Sequence, residues 1–441
     1  MLSQEENAFL TRVGPGTPMG NLMRQYWLPA MLSSELPRPD SDPVRVLLLG
    51  ERLIAFRDTN GSVGLVDHAC PHRGASLFFG RNEESGLRCV YHGWKFDASG
   101  QCIDMPNEPA ESDFRNKVRA RAYPTRERGG IVWAYLGPRS APPPLPAIEA
   151  NLLPDGEWTV SAQQQECNWL QILEGDIDTS HFGFLHRGSV RAEAMPPWTS
   201  RNEYYVIRNR APHYRVVDTE YGTMYGAYVE AEPGYENWRI ALFLLPFYSK
   251  PPGGGPGVLC RVPMDDYHTL NIRMGARGGR TIVPTEVASD PAYARLKSGL
   301  VPNTTDWYGR FRMGSNVAND FEIDRDLQRR NEGNNGYTGV VGNMQDPMIT
   351  ASMGPIQDRT AERLASSDTM IIRTRRRLLT VARALAEHDI APPGVDDPDL
   401  YLVRSTQAIL PVGADWIEAT GEQRRVTRSG QGLEAAARDT P

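Results

Sequence analysis

The chain has 441 residues, enough for two domains or one large one with a substantial buried core. Its 54 acidic and 48 basic residues are mixed along the sequence and leave a net charge of −6, so it lacks the basic face that a nucleic-acid binder needs. No stretch approaches the ~20 apolar residues of a membrane span, and five scattered cysteines do not make a disulfide scaffold.

The start, Met1-Leu2-Ser3-Gln4-Glu5-Glu6, is polar and acidic, without the basic start and apolar run of a signal peptide. With the sparse cysteines this points to a soluble protein of a reducing cytoplasm. Asn21 to Trp27 reads as a short helix closed by Pro29. Residues 1–37 are expected to form a helical segment packed on the later part of the chain. Val44 to Leu49, Leu53 to Phe56 and Val63 to Val66 read as strands, punctuated by Gly50-Glu51 and Asp58-Thr59-Asn60-Gly61. Trp94 to Phe96, Gln101 to Ile103 and Ile131 to Leu136 continue the pattern, so residues 38–150 are expected to be an all-β module.

Inside that module lie Cys70-Pro71-His72-Arg73-Gly74 and Cys89-Val90-Tyr91-His92-Gly93-Trp94. A structural zinc site usually takes two cysteines from one knuckle and two histidines from one helix. Here each segment offers one thiolate and one imidazole. Two opposed loops can place both sulfurs on one iron and both imidazoles on the other, the ligand set of a Rieske [2Fe–2S] centre. Zinc holding a binding module together is the competing reading, and it predicts a colourless protein. Cys102, Cys167 and Cys260 form no second motif and read as small buried residues.

Pro142-Pro143-Pro144-Leu145-Pro146 reads as a stiff, extended connector between domains or equally as a surface loop, and residues 151–420 are expected to form a second domain. A helix is expected from about Asn168 to Leu185. Residues 201 to 283 look strand-rich, as in Tyr225 to Glu230 and Trp238 to Pro246. Arg359 to His388 reads as the clearest helix, with Leu364, Ile371, Leu378, Ala382 and Leu385 at helical spacing. The run Arg373, Arg375, Arg376, Arg377 reads as a solvated face or a subunit contact. Residues 421–441 read as a flexible tail. The expected fold class is α+β: the all-β module, then an α+β domain with an antiparallel sheet and a long C-terminal helix.

Glu174-Gly175-Asp176-Ile177-Asp178-Thr179-Ser180-His181-Phe182-Gly183-Phe184-Leu185-His186 suggests a second metal site. Two histidines and one carboxylate make the facial triad of non-haem Fe(II) oxygenases, with open positions left for O2. His181 and His186 are five apart, about 140° on an ideal helix. Either the helix is distorted there or His186 lies past its end. Two structural histidines are the competing reading.

The chain resembles the α subunits of Rieske non-haem iron aromatic-ring oxygenases, most closely the phthalate dioxygenase-like group. The resemblance rests on Met23 to Ala30, both cysteine–histidine loops, Asn168-Trp169-Leu170-Gln171, the Asp178–His186 segment, and Ser352-Met353-Gly354-Pro355-Ile356-Gln357-Asp358-Arg359-Thr360. It implies Cys70, His72, Cys89 and His92 as cluster ligands and His181, His186 and Asp358 as ligands of a mononuclear Fe(II). Asp358 could instead cap the helix expected from Arg359; Asp346 and Asp324 are weaker candidates for the third ligand. The resemblance further implies that Asp178 joins His181 to His92 of an adjacent copy, hence a homotrimer or hexamer. An NAD(P)H-dependent flavin/iron–sulfur reductase would supply electrons. The substrate would be an aromatic acid such as phthalate, phenoxybenzoate or a halobenzoate, hydroxylated or dihydroxylated with O2. O-demethylation of a methoxylated acid is the alternative, and a Rieske electron carrier is the non-enzyme one. A substrate carboxylate would want an arginine, and Arg208 and Arg239 are the candidates.

Overall fold

The computed structural model describes residues 2–109, 111–195, 199–278 and 299–426. Ser3 caps the helix Gln4–Thr11 through a reciprocal bond with Glu6, and Thr17 caps Pro18–Arg24, whose proline sits at the first turn. Both helices pack against a long helix near the other end of the chain, Thr369–His388. The expected helix Asn21 to Trp27 ends at Arg24, because Trp27–Leu32 is a buried strand pairing with Ile131–Tyr135. Pro29 sits beside an irregularity in that pairing, where its missing N–H is tolerated. Residues 1–37 are therefore not wholly helical, and the β module draws a strand from them.

That module contains three antiparallel sheets. One is Trp27–Leu32, Ile131–Tyr135 and Thr125–Arg128; another is Val44–Leu48, Glu51–Arg57 and Val63–Asp67. The third runs Arg81–Glu83, Gly86–Arg88, Lys95–Phe96, Cys102–Asp104. Ile54, Phe56, Leu77, Leu87 and Phe96 form its core, and Cys70 and Cys89 are part of that cluster.

The second part is built on an eight-stranded antiparallel sheet. Trp158–Gln165 lies at one edge and His213–Thr219 at the other; Thr406–Pro411 pairs with Tyr235–Leu244. The helix Trp169–Asp176 packs on Tyr248–Lys250 and Val258–Pro263, and the long helix packs on His213–Thr219 and Gly222–Glu230. The buried apolar residues of this sheet, the long helix and the N-terminal helices form one continuous core.

Five further expectations need correcting. Arg201–Arg208 is helical, capped by Ser200, with Tyr205, Val206 and Ile207 buried. The helix expected to reach Leu185 stops at Asp176. The long helix starts at Thr369, not Arg359; the chain before it is irregular, because Arg359 is drawn into a buried ionic network. Within that helix Arg375 is buried and paired with Glu174 and Glu362 rather than solvated. The tail is ordered through Gly421–Arg424 and a bridge from Val403 to Arg425. Residues 427–441 lie outside the described residues. Among the described residues, no helix is long and apolar enough to cross a membrane.

Candidate metal centres

The two cysteine–histidine loops have the same backbone logic. Cys70 N–H donates to Ala75 O at 2.8 Å and Gly74 N–H to Cys70 O at 2.9 Å. Cys89 N–H donates to Trp94 O at 2.8 Å and Gly93 N–H to Cys89 O at 2.9 Å. Gly74 and Gly93 both hold positive φ, and a Cβ on Gly93 would meet Pro106 Cγ at 2.5 Å. The loops face each other. The cysteines are buried and unbridged, the Cys70 and Cys89 thiols interact, and the His72 and His92 rings lie 4.4 Å apart between centroids. His92 Nδ1 is buried without a hydrogen-bond partner among the described residues. An orphaned imidazole nitrogen beside paired thiols is what a [2Fe–2S] centre with mixed ligands would satisfy. Trp94 stacks on His72 at 4.3 Å, its Nε1–H held by Asn107, and Tyr91 lies against His92.

The second centre forms where the helix Trp169–Asp176 ends. Asp176 is fixed there by Arg261 and by Ser249 Oγ at 2.6 Å. The chain then winds into a tight turn, Ser180–Gly183, with Leu185 N–H donating to His181 O at 2.7 Å. This turn, rather than a distorted helix, brings His181 and His186 together, with their Nε2 atoms 3.2 Å apart. The third group is Asp346, on the helix Gly342–Ser352. Its Oδ1 lies 3.2 Å from His186 Nε2 and 3.6 Å from His181 Nε2. Three donors at ~2.1 Å from one metal and at right angles would be about 3 Å apart, so this triangle suits a facial triad. The Asp346 side chain is 55 % exposed, which leaves the site open on one side. Burial opposes ionisation of Asp346, yet His186 and His181 hold its carboxyl below the usual range. Among the described residues, His181, His186 and Asp346 are the one group with this geometry.

Asp358 does not join them. It is exposed, and its carboxylate accepts from Thr360 N–H at 2.9 Å and Thr360 Oγ1 at 2.6 Å. Nor does it cap the long helix. The work of that segment falls to its neighbours. Arg359 is fully buried and donates to Glu174 at 2.9 Å; Arg375 donates to the same carboxylate at 2.6 Å. Burial raises the Glu174 pKa, but Arg359 and Arg375 outweigh it and hold the group low. Gln171 Nε2 donates to Thr350 O and Gly354 O, and Gln171 Oε1 accepts from Gln357 N–H. These bonds tie the helix that leads to His181 to the helix that carries Asp346. Asp324 caps Arg325–Arg330 instead.

Asp178 stands beside His181, Oδ2 to Nδ1 at 3.5 Å, and is oriented by Ser180 N–H at 2.7 Å. Burial lowers the His181 pKa, but Asp178 and then Asp346 more than reverse it in the metal-free chain. Arg208 is exposed, donates to Ala231 O and lines no described pocket. Arg239 differs. It lines a narrow pocket with Thr179, Ser180, Gly183, Val206 and Asn237. Its guanidinium lies 4.6 Å over the Phe182 ring, which contacts His186 edge-on at 5.8 Å. Its Nε is buried without a partner among the described residues, and burial pulls its pKa down. A signal for Asp346 was present in the sequence: it is the sole acid in the mainly apolar stretch Met344 to Ala351.

Comparison with known proteins gives two family models that match the chain. The Rieske [2Fe-2S] domain covers residues 26–124, and the LigXa C-terminal domain like model covers 134–439. The chain is 46% identical to the 3-chlorobenzoate-3,4-dioxygenase oxygenase subunit of Comamonas testosteroni, over 96% of this chain and 99% of that one. It is 38% identical to the phthalate 4,5-dioxygenase oxygenase subunit of Pseudomonas putida, over 94% of each. Among solved structures, NdmA of Pseudomonas putida CBB5, as its QL mutant with theobromine, aligns with a TM-score of 0.54 at 20% identity, over 90% of this chain and 99% of that one. That last likeness concerns the fold.

Proposed function

The chain belongs to the Rieske non-haem iron oxygenase α subunits, in the phthalate dioxygenase-like group, and from that membership we propose that it hydroxylates or dihydroxylates an aromatic acid in the cytoplasm. When held by this chain's residues, a [2Fe–2S] cluster would supply single electrons and a mononuclear iron would supply O2 activation, while the chain's own groups bind, orient and shield. The proposed iron ligands are His181, His186 and Asp346, with Cys70, His72, Cys89 and His92 on the cluster.

The observation that carries the substrate class is Arg239, whose guanidinium has no acid paired to it among the described residues and which lines a pocket with Ser180 and Gly183 of the turn that carries His181. A buried guanidinium nitrogen without a hydrogen-bond partner is costly, and a substrate carboxylate would relieve that cost. The pocket is narrow, so it suits the carboxylate while the ring lies towards the metal. Relatives named for 3-chlorobenzoate, phthalate and phenoxybenzoate support an acid of this kind. O-demethylation is a second reading, because part of this chain matches the 5,5'-dehydrodivanillate O-demethylase oxygenase subunit at 46% identity, over 42% of this chain and 44% of that one.

Asp178 is proposed to accept from His181 Nδ1–H and from His92 of the partner subunit in a ring of three or six copies. Electrons would come from a separate NAD(P)H-dependent reductase. Oxygen uptake with a surrogate reductase and a panel of benzoates, phthalates, phenoxybenzoates and methoxybenzoates tests this reading. Uptake coupled to product is expected for acids and not for their amides. Arg239→Met should raise KM for the acid about 10–100-fold, the worth of a charged hydrogen-bonded pair, with smaller effect on kcat. Equal turnover of acid and amide would remove the carboxylate from the account. No uptake at all would favour a Rieske electron carrier.

A further inference from the structure

His186 has a second nitrogen, and its environment is unusually well determined. Nδ1 lies 2.7 Å from Gln345 Oε1. The other end of that carboxamide, Nε2, donates to Thr338 Oγ1 at 2.9 Å and to the Val340 carbonyl at 3.1 Å. Gln345 is 1 % exposed, and Thr338 and Val340 are also buried. We infer that Gln345 is the positioning residue that fixes His186 as its Nδ1–H tautomer and so turns the Nε2 lone pair towards the metal. The inference rests on the reading of His181, His186 and Asp346 as iron ligands.

The argument runs through an atom with no choice. A backbone carbonyl can only accept, so the amide atom facing Val340 O must be the NH2 group. The atom facing His186 is then the carbonyl oxygen, which also can only accept. Nδ1 must therefore carry a proton, and in the neutral imidazole Nε2 is then the nitrogen with the free lone pair. Turning the amide over would set Oε1 against Val340 O and present N–H to Nδ1. The proton would move to Nε2, where it would block the metal, and buried groups would be left unpaired. Thr338 is itself held, because Val340 N–H donates to its Oγ1 at 3.1 Å.

Gln345 and Asp346 are consecutive on one helix, where successive side chains diverge by about 100°. One can thus bind the metal directly while the other reaches the far side of a ligating ring. The two histidines are backed differently: His181 Nδ1 faces a carboxylate, and His186 Nδ1 a neutral amide. The chain thereby confines the negatively charged backing group to the histidine beside Asp178.

The test is cobalt(II) titration into protein stripped of mononuclear iron with its cluster intact, followed by cobalt visible absorption. Gln345→Met keeps the volume and removes the acceptor. It should weaken cobalt binding about 10–100-fold with cluster absorbance unchanged, and the metal-binding loss should exceed any fall in melting temperature seen in Thr338→Val. Gln345→Glu returns an acceptor oxygen opposite Nδ1 but sets its second oxygen against the Val340 carbonyl unless that oxygen is protonated, so it should recover only part of that loss. Thr338→Val removes one anchor of the amide and should give a smaller loss in the same direction; it decides the matter if Gln345→Met does not fold. Wild-type cobalt affinity in Gln345→Met, or in Thr338→Val where that variant decides, overturns the role of Gln345. His186→Ala separates the two ideas: if it still binds cobalt as the wild type does, the triad itself is wrong.

Discussion

Asp346 and Asp358 show how little separates a ligand from a surface acid in sequence. Each is the one aspartate of its segment, and Asp358 lies in a segment, Ser352 to Thr360, that carries the family resemblance. The structure prefers Asp346 because the helix Gly342–Ser352 directs it at His186, whereas Asp358 is occupied by Thr360. The proposed cluster residues rest on spacing, since Cys-x-His and Cys-x2-His ending in glycine define closed loops with little freedom, and the structure brings the two loops together. The glycines are part of that signal. Gly93→Ala should force a side chain into a positive-φ backbone and against Pro106. The expected outcome is loss of the reduced-cluster EPR signal, with the mononuclear site still able to take up metal. A full cluster signal would show that the loop has room to relax.

The elements were harder to read than the residues. Leu364 continued the apolar spacing of Ile371 to Leu385, so the long helix seemed to start ten residues early. Periodicity could not show that Arg359 is claimed by Glu174, a partner 185 positions away. The same blindness hid the bonds from Gln171 to Thr350 and Gly354, which align the two iron-bearing elements. Arg359→Met should leave Glu174 and Arg375 imperfectly paired in the core and cost about 3–5 kcal/mol, read as a fall in chemical-denaturation midpoint. A change below ~1 kcal/mol would mean the network is dispensable. Glu174 has its pKa held below the unfolded value, so its contribution is complete at neutral pH. It fades as pH falls through the unfolded and then the folded pKa. Acid sensitivity should therefore be smaller in Glu174→Gln than in the parent.

At the scale of the whole molecule, a β module with one metal centre is fused to a sheet-and-helix domain with another. The N-terminal helices cross back onto the second domain, where Asn168 donates to Thr11 O and Arg12 pairs with Asp266. The antiparallel sheet was legible from strand signals. The strand at Trp27–Leu32 was not, because its partner lies a hundred residues later. If Asp178 joins the centres of neighbouring copies, Asp178→Asn should keep both metals. Its reduced cluster should then stay reduced when substrate and O2 are added, as followed by rapid-mixing absorbance. Reoxidation at the parental rate would exclude Asp178 from the route.

The account stands most directly on which carboxylate holds the mononuclear iron, and iron content per chain decides it. The parent should carry about three irons, two in the cluster and one in the triad. Asp346→Ala should fall to about two with an unchanged cluster spectrum, while Asp358→Ala keeps all three. Full iron in Asp346→Ala, or loss of the third iron in Asp358→Ala, would contradict it.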